Sequence, residues 1–278
     1  MDKMDKPVIY FLLPVFYFLF SANIGTAQTQ VSGNGTLSQI GVGTGVSFTG
    51  YIDETNLPVS KYSNPLTYFI FGHFERGKWL HSFNVSFFWG DAKKREPFRG
   101  YIHIPCSTIR ASMDYSFNYR LFEIGFYQQY IGPAIRTIAH YTGPLTGDGF
   151  NKLNPTGVFL TSIDLNLGHK FIINNRNSVF FSIKFPVFGY AVRPPYAGLD
   201  ELWLKYLHEG TYLKFFTLGE ITGPHNYFAF LGDIRYHYKI NRKFSVYSGM
   251  TFEYSFISFY RPRRDLIFTL HGGVTYLF

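Results

Sequence analysis

Large apolar residues alternate with small or polar ones along most of the chain. Near the C-terminus Val246, Met250, Phe252, Tyr254 and Phe256 take even positions. Ser245, Tyr247, Gly249, Thr251, Glu253 and Ser255 take the odd ones between them. The last segment repeats this: Leu266, Phe268, Leu270, Val274, Tyr276 and Phe278 point one way, and Thr269, His271, Gly273 and Thr275 the other. A period of two marks β-strands whose two faces meet different surroundings. A soluble sandwich also alternates, but it hides its aromatic face. Here the opposite face is small, polar and in places charged, which predicts lipid outside and a polar interior.

Short basic turns recur between alternating runs: Arg76-Gly77-Lys78, Asn118-Tyr119-Arg120, Asn174-Asn175-Arg176-Asn177 and Asn241-Arg242-Lys243. Longer stretches rich in Pro, Gly and charge separate the hairpins, at 52–66, 91–107, 136–157 and 193–224. The pattern predicts strands at about 39–51, 67–75, 79–90, 108–117, 121–134, 158–173, 178–192, 225–240, 244–260 and 266–278. The predicted class is all-β, a transmembrane antiparallel up-and-down barrel of about ten strands, with eight or twelve as neighbouring counts. An even count puts both ends on one side, with short turns there and long loops opposite.

The N-terminus reads differently. A short head with Lys3 and Lys6 precedes the apolar run Val8–Phe20, and small residues follow, ending Gly25-Thr26-Ala27. This is the layout of a signal peptide cut after Ala27. Residues 1–27 are expected to be removed, leaving 28–278 as a single barrel domain. An uncleaved anchor is the alternative, but the run is short of the ~20 residues of a spanning helix and Pro14 interrupts it.

Composition narrows the class further. Only 16% of residues are charged, against about a quarter in soluble domains, while 32 Phe and 22 Tyr bring aromatics to 21%. That excludes a disordered chain. A single cysteine, Cys106 in a predicted loop after Pro105, excludes a disulfide scaffold and a cysteine-rich zinc site. No cofactor or metal is expected, and nothing points to nucleic acid.

With the C-terminal Thr275-Tyr276-Leu277-Phe278, these features resemble a Gram-negative outer-membrane β-barrel. A terminal Phe preceded by alternate aromatics resembles the assembly signal of that class. The resemblance implies residence in the outer membrane, contact with its lipids and lipopolysaccharide, and insertion by the outer-membrane assembly machinery. It is architectural and implies no activity.

Strand parity predicts the lumen. Arg110, Ser112, Asp114 and Ser116 alternate inward, followed by Glu123, Tyr127 and Gln129 on the next strand. Asp164, Asn166, Lys170, Lys184, Asp233, Arg235, His237, Glu253 and His271 complete the list. Acids and bases nearly balance. That favours ion-paired crosslinks over a selective pore, because unpaired charge in a narrow lumen is costly. Gly41, Gly43 and Gly45 leave room against one wall for a bulky neighbour such as Tyr127 or Tyr247.

Catalytic patterns are weak. Barrels that deacylate lipid resemble one another in a strand-borne His-x-Ser, and none of the nine histidines has Ser two places on. Ten-stranded proteases of the omptin type use Asp–His and Asp–Asp pairs near the rim. The rim groups here, Asp200, His208, Glu220 and His225, show no such spacing. The favoured role is a structural, ligand-binding or narrowly conducting barrel. A membrane-embedded hydrolase is the runner-up, followed by a solute transport component. Two loop features stand out. Leu199, Leu202, Trp203, Tyr206 and Leu207 predict a short amphipathic helix at about 199–209. Arg261, Arg263 and Arg264 form a basic cluster suited to lipopolysaccharide phosphates, since guanidinium binds phosphate bidentately at any physiological pH.

Overall fold

The computed structural model describes residues 38–53, 61–63, 65–94, 106–143, 156–193, 218–259 and 262–278. The leader segment, the helix predicted at 199–209, and Arg261 lie outside the described residues.

Ten long strands form the wall: β1 (Gln39–Asp53), β3 (Leu66–Arg76), β4 (Trp79–Lys94), β5 (Cys106–Ile124), β6 (Tyr127–Gly143), β7 (Thr156–Ile172), β8 (Asn177–Val192), β10 (Tyr227–Lys239), β11 (Phe244–Ile257) and β12 (Arg263–Leu277). Two three-residue strands, β2 (Lys61–Ser63) and β9 (Glu220–Thr222), extend β3 and β10 toward the long loops. Every pairing is antiparallel, the ten long strands pair in chain order, and β12 pairs with β1 from Gln39–Leu277 to Asp53–Arg263. The sheet therefore closes on itself, which removes its edges and satisfies the backbone without water. Phe278 N donates to Ser38 O at 3.0 Å and fastens the terminus into this closure.

Alternation decides which side each residue meets. Val42, Phe48, Tyr68, Ile70, Met113, Tyr115, Phe252 and Val274 are all exposed on the outside. Aromatics gather outside the short turns: Trp79 stacks on Phe117 at 4.5 Å, and Phe244 meets Tyr276 at 5.5 Å. Such amphipathic rings suit a membrane–water boundary.

One turn departs from the sequence pattern. Asn118-Tyr119-Arg120 is not a turn; β5 runs through it to Ile124, and the chain reverses at Gly125-Phe126, where Gly125 adopts φ 56°. That left-handed value suits glycine. Asn118 is fully buried: its Oδ1 accepts from Asn166 Nδ2 at 2.8 Å and its Nδ2 donates to Ser116 Oγ at 2.9 Å. A β-bulge between Arg120 and Phe122 makes even positions of β6 pair with even positions of β5, the reverse of the parity predicted for β6. Tyr127 and Gln129 lie on the outer side, and Gln128, Tyr130, Ala134, Arg136, Ile138 and His140 are buried inside. Cys106 opens β5 rather than lying in a loop.

Candidate functional site: the barrel lumen

β1 supplies a thin stretch of wall. A Cβ at Gly43 would lie 2.0 Å from the Tyr247 hydroxyl, and one at Gly41 would lie 2.5 Å from Phe71. Tyr247 and Phe71 thus fill the space opposite the glycines, ring to ring at 4.8 Å. Tyr127 instead stacks on His169 outside, with its hydroxyl 2.7 Å from His169 Nδ1.

Above this aromatic layer lies a charged one. Arg110 Nη2 donates to both oxygens of Glu253, at 2.7 and 2.6 Å. Arg136 lies between Asp164 at 3.0 Å and Glu253 at 3.7 Å, and donates to the Tyr227 hydroxyl at 2.7 Å. Lys184 pairs with Asp114, which also accepts from Asn84 at 3.3 Å. Arg235 pairs with Asp233 at 3.0 Å and donates to Asn84 Oδ1 at 3.1 Å. His271 Nε2 lies 3.8 Å from Asp233. A buried cation with a hydrogen-bonded carboxylate avoids most of the penalty of leaving water.

Three of these contacts cross the whole barrel. In the ring of ten long strands, β5 and β11, β4 and β10, and β6 and β12 stand opposite each other. Arg110–Glu253 joins the first pair, Asn84–Arg235 the second, and His140–Arg263 the third at 2.5 Å. At the short-turn end Glu75 of β3 accepts from Lys170 at 2.7 Å, Tyr130 at 2.8 Å and Arg120 at 3.3 Å. Between these braces remains a cavity of about 70 Å³, lined by serines, threonines and the Arg110, Asp114, Arg136, Lys184, Asp233, Arg235 and Glu253 side chains. Since a water needs roughly 10–15 Å³ measured this way, the space suits a few waters.

The structure thus brings Arg110, Asp114, Asp164, Lys184, Asp233, Arg235, Glu253 and His271 together inside the barrel. Glu123 is not among them. It stands one residue before the end of β5, its side chain is 46% exposed, and it contacts Arg120 at 3.0 Å and accepts from Gln128 at 2.7 Å. The basic cluster is divided by strand geometry. Because β12 begins at Arg263, alternation sends Arg263 inside, 1% exposed, where it holds Asp265 at 3.1 Å. Arg264 faces outward, 5.5 Å over the Phe256 ring. Sequence reasoning missed Arg136 and His140, having placed them in a loop, and also His73 and Glu75. Even spacing after Gly125 would have found the first two, and the run Thr67, Phe69, Phe71, His73, Glu75 the others. Among the described residues no group of His, Cys, Asp and Glu is arranged to hold a metal ion.

No protein-family model matches the chain, and no curated protein matches its sequence. Solved structures do. The chain is similar to the outer membrane protease OmpT from Escherichia coli, at 8% identity over 91% of this chain and 100% of that one, with a TM-score of 0.53. It is also similar, more loosely, to Neisserial surface protein A, at 8% identity over 86% of this chain and 97% of that one, TM-score 0.35. An outer membrane channel from Pseudomonas putida F1 gives 8% identity over 92% and 100%, TM-score 0.34. Only the first of these three superposes well enough to define a common fold. The chain has the fold of an outer-membrane β-barrel. Its hydrocarbon-facing exterior and closed, polar-lined interior place it in the outer membrane.

Proposed function

We propose that this protein is an axially closed barrel, a membrane-embedded scaffold whose polar lumen braces the wall instead of conducting. The observation that carries this reading is the set of three contacts spanning opposite strands, Arg110–Glu253, Asn84–Arg235 and His140–Arg263. A solute moving along the axis would have to break them and leave buried charges without partners. Small barrels also tend to fill with side chains rather than water. Proteoliposomes loaded with an impermeant sugar and diluted into isosmotic glycine should swell no faster than protein-free vesicles. Rapid swelling would favour the solute-transport reading instead.

The fold shared with an outer membrane protease supports a second reading, hydrolysis at the outer rim. Of the rim groups, Glu220 and His225 lie in the described part, and no carboxylate pairs with His225 among the described residues. Turnover of labelled peptide or phospholipid by the purified protein would establish it; inactivity on both would remove it. The outer-membrane setting also implies a lipid boundary. The lipopolysaccharide contact is proposed for Arg264 alone among the described basic-cluster residues. Arg264→Gln should lower the lipopolysaccharide that co-purifies; unchanged lipid would leave Arg264 as a solvated rim charge.

A further inference from the structure

Among the described residues the hydrogen-bonded wall is interrupted at two places. Where β2 passes to β3, Ser47 N donates to Pro65 O at 3.0 Å, and a Cβ at Gly90 would lie 2.8 Å from Pro65. That break is tight. At the other, the pairing of β8 stops at Lys184 and resumes only at Gly189. The β8–β10 ladder climbs from Asn177–Tyr238 to Lys184–Leu231 and ends. β8 next pairs with β9, from Gly189–Thr222 to Ala191–Glu220. Phe185–Phe188 therefore have no register partner on that side, opposite residues 223–230.

The sequence explains the break. Pro186 has no N–H to give a ladder and is tolerated where pairing stops. Val187 and Phe188 both point outward, beside the register shift between Ile163 and Asp164 of β7. Such a bulge bends a strand and ends regular pairing. What spans the seam is a ring contact, Phe185 against Phe230 at 5.5 Å.

Both sides of the seam are apolar. Outside, Val187, Phe188, Ile221 and Phe228 are exposed, so in the membrane acyl chains cover them. Inside, the polar lumen gives way to one apolar cluster, including Ile138, Leu160, Ala191, Tyr227, Ala229 and Ile257, with Phe259 packed against it. An acyl chain entering elsewhere would meet buried charge first; here it meets methyl and ring carbons, and Arg136 beside Tyr227 is already held by Asp164 at 3.0 Å and by the Tyr227 hydroxyl at 2.7 Å.

We propose that the β8–β10 seam is a lateral entry through which the acyl chain of one bilayer lipid reaches this cluster. The lumen is then closed along its axis and open from the membrane side. The binding site is the cluster, the ligand class is an alkyl chain, and Pro186 keeps the entry from zipping shut.

Single-tryptophan proteins test this, with Trp79, Trp89 and Trp203 replaced by Phe. Tyr227→Trp reports from inside the seam, and Phe69→Trp from inside a wall paired on both sides. In vesicles of phosphatidylcholine brominated on its acyl chains, Tyr227→Trp should be quenched at least threefold more than Phe69→Trp. Adding Pro186→Val should bring the two closer together. Phe259→Trp repeats the measurement without removing the hydroxyl that Arg136 uses, should Tyr227→Trp fail to fold. Equal quenching of the seam and wall reporters overturns the proposal. So do disulfide-linked dimers of Phe228→Cys in a Cys106→Ser background without extra quenching, because a second copy would then cover the edge.

Discussion

Glu253→Ala is expected to lower the stability of the folded barrel by about 3–5 kcal/mol, the range for removing one partner of a buried ion pair. Glu253 holds Arg110 through both oxygens and stands 3.7 Å from Arg136. Its loss leaves Arg110, 6% exposed, without the carboxylate that holds it, and Arg136, 2% exposed, with Asp164 at 3.0 Å. Replacing Arg110 and Glu253 together by Leu and Met should recover much of the loss, since an apolar pair carries no unmet charge. Urea unfolding in lipid vesicles, followed by tryptophan fluorescence, measures both. A loss under about 1 kcal/mol, the scale of a surface pair, would mean that water reaches the pair freely and that the lumen is open.

The second large effect separates the two faces of one strand. Phe252 is 38% exposed on the outside of β11, while its neighbour Thr251 lines the lumen cavity. Arginine on the lipid face near the bilayer midplane costs roughly 2–4 kcal/mol. In the lumen the same side chain keeps polar company. Phe252→Arg should therefore destabilise more than Thr251→Arg by unfolding free energy in the same vesicles. Equal losses would show that the two faces do not differ as lipid and lumen.

Most of the wall was legible because a barrel repeats one simple rule. Where hairpins turn at short basic sequences such as Arg76-Gly77-Lys78, alternation on both sides gave the strand and its faces. The rule failed where a turn-like triplet sits inside a strand. Asn118-Tyr119-Arg120 carries the residue types of a turn, yet Asn118 is needed inside, and Tyr119 packs its ring against Trp79 at 4.9 Å outside. A β-bulge between Arg120 and Phe122, invisible in the pattern, makes even positions of β6 pair with even positions of β5, so Tyr127 and Gln129 leave the lumen while Arg136 and His140 enter it. The crosslinks were illegible for a different reason. Parity shows that Arg110 and Glu253 point inward, but which strands stand opposite follows only once the ring closes through β1 and β12. Arg263 shows the same limit: three arginines in four residues read as one cluster, and the start of β12 divides them.

Single-channel recording of the refolded protein in planar bilayers tests the closed lumen most directly. The account predicts a quiet membrane for the native chain at moderate voltage, and current steps once Arg110 and Glu253 are both replaced by Ala. Stable, long-lived steps from the native chain would contradict it.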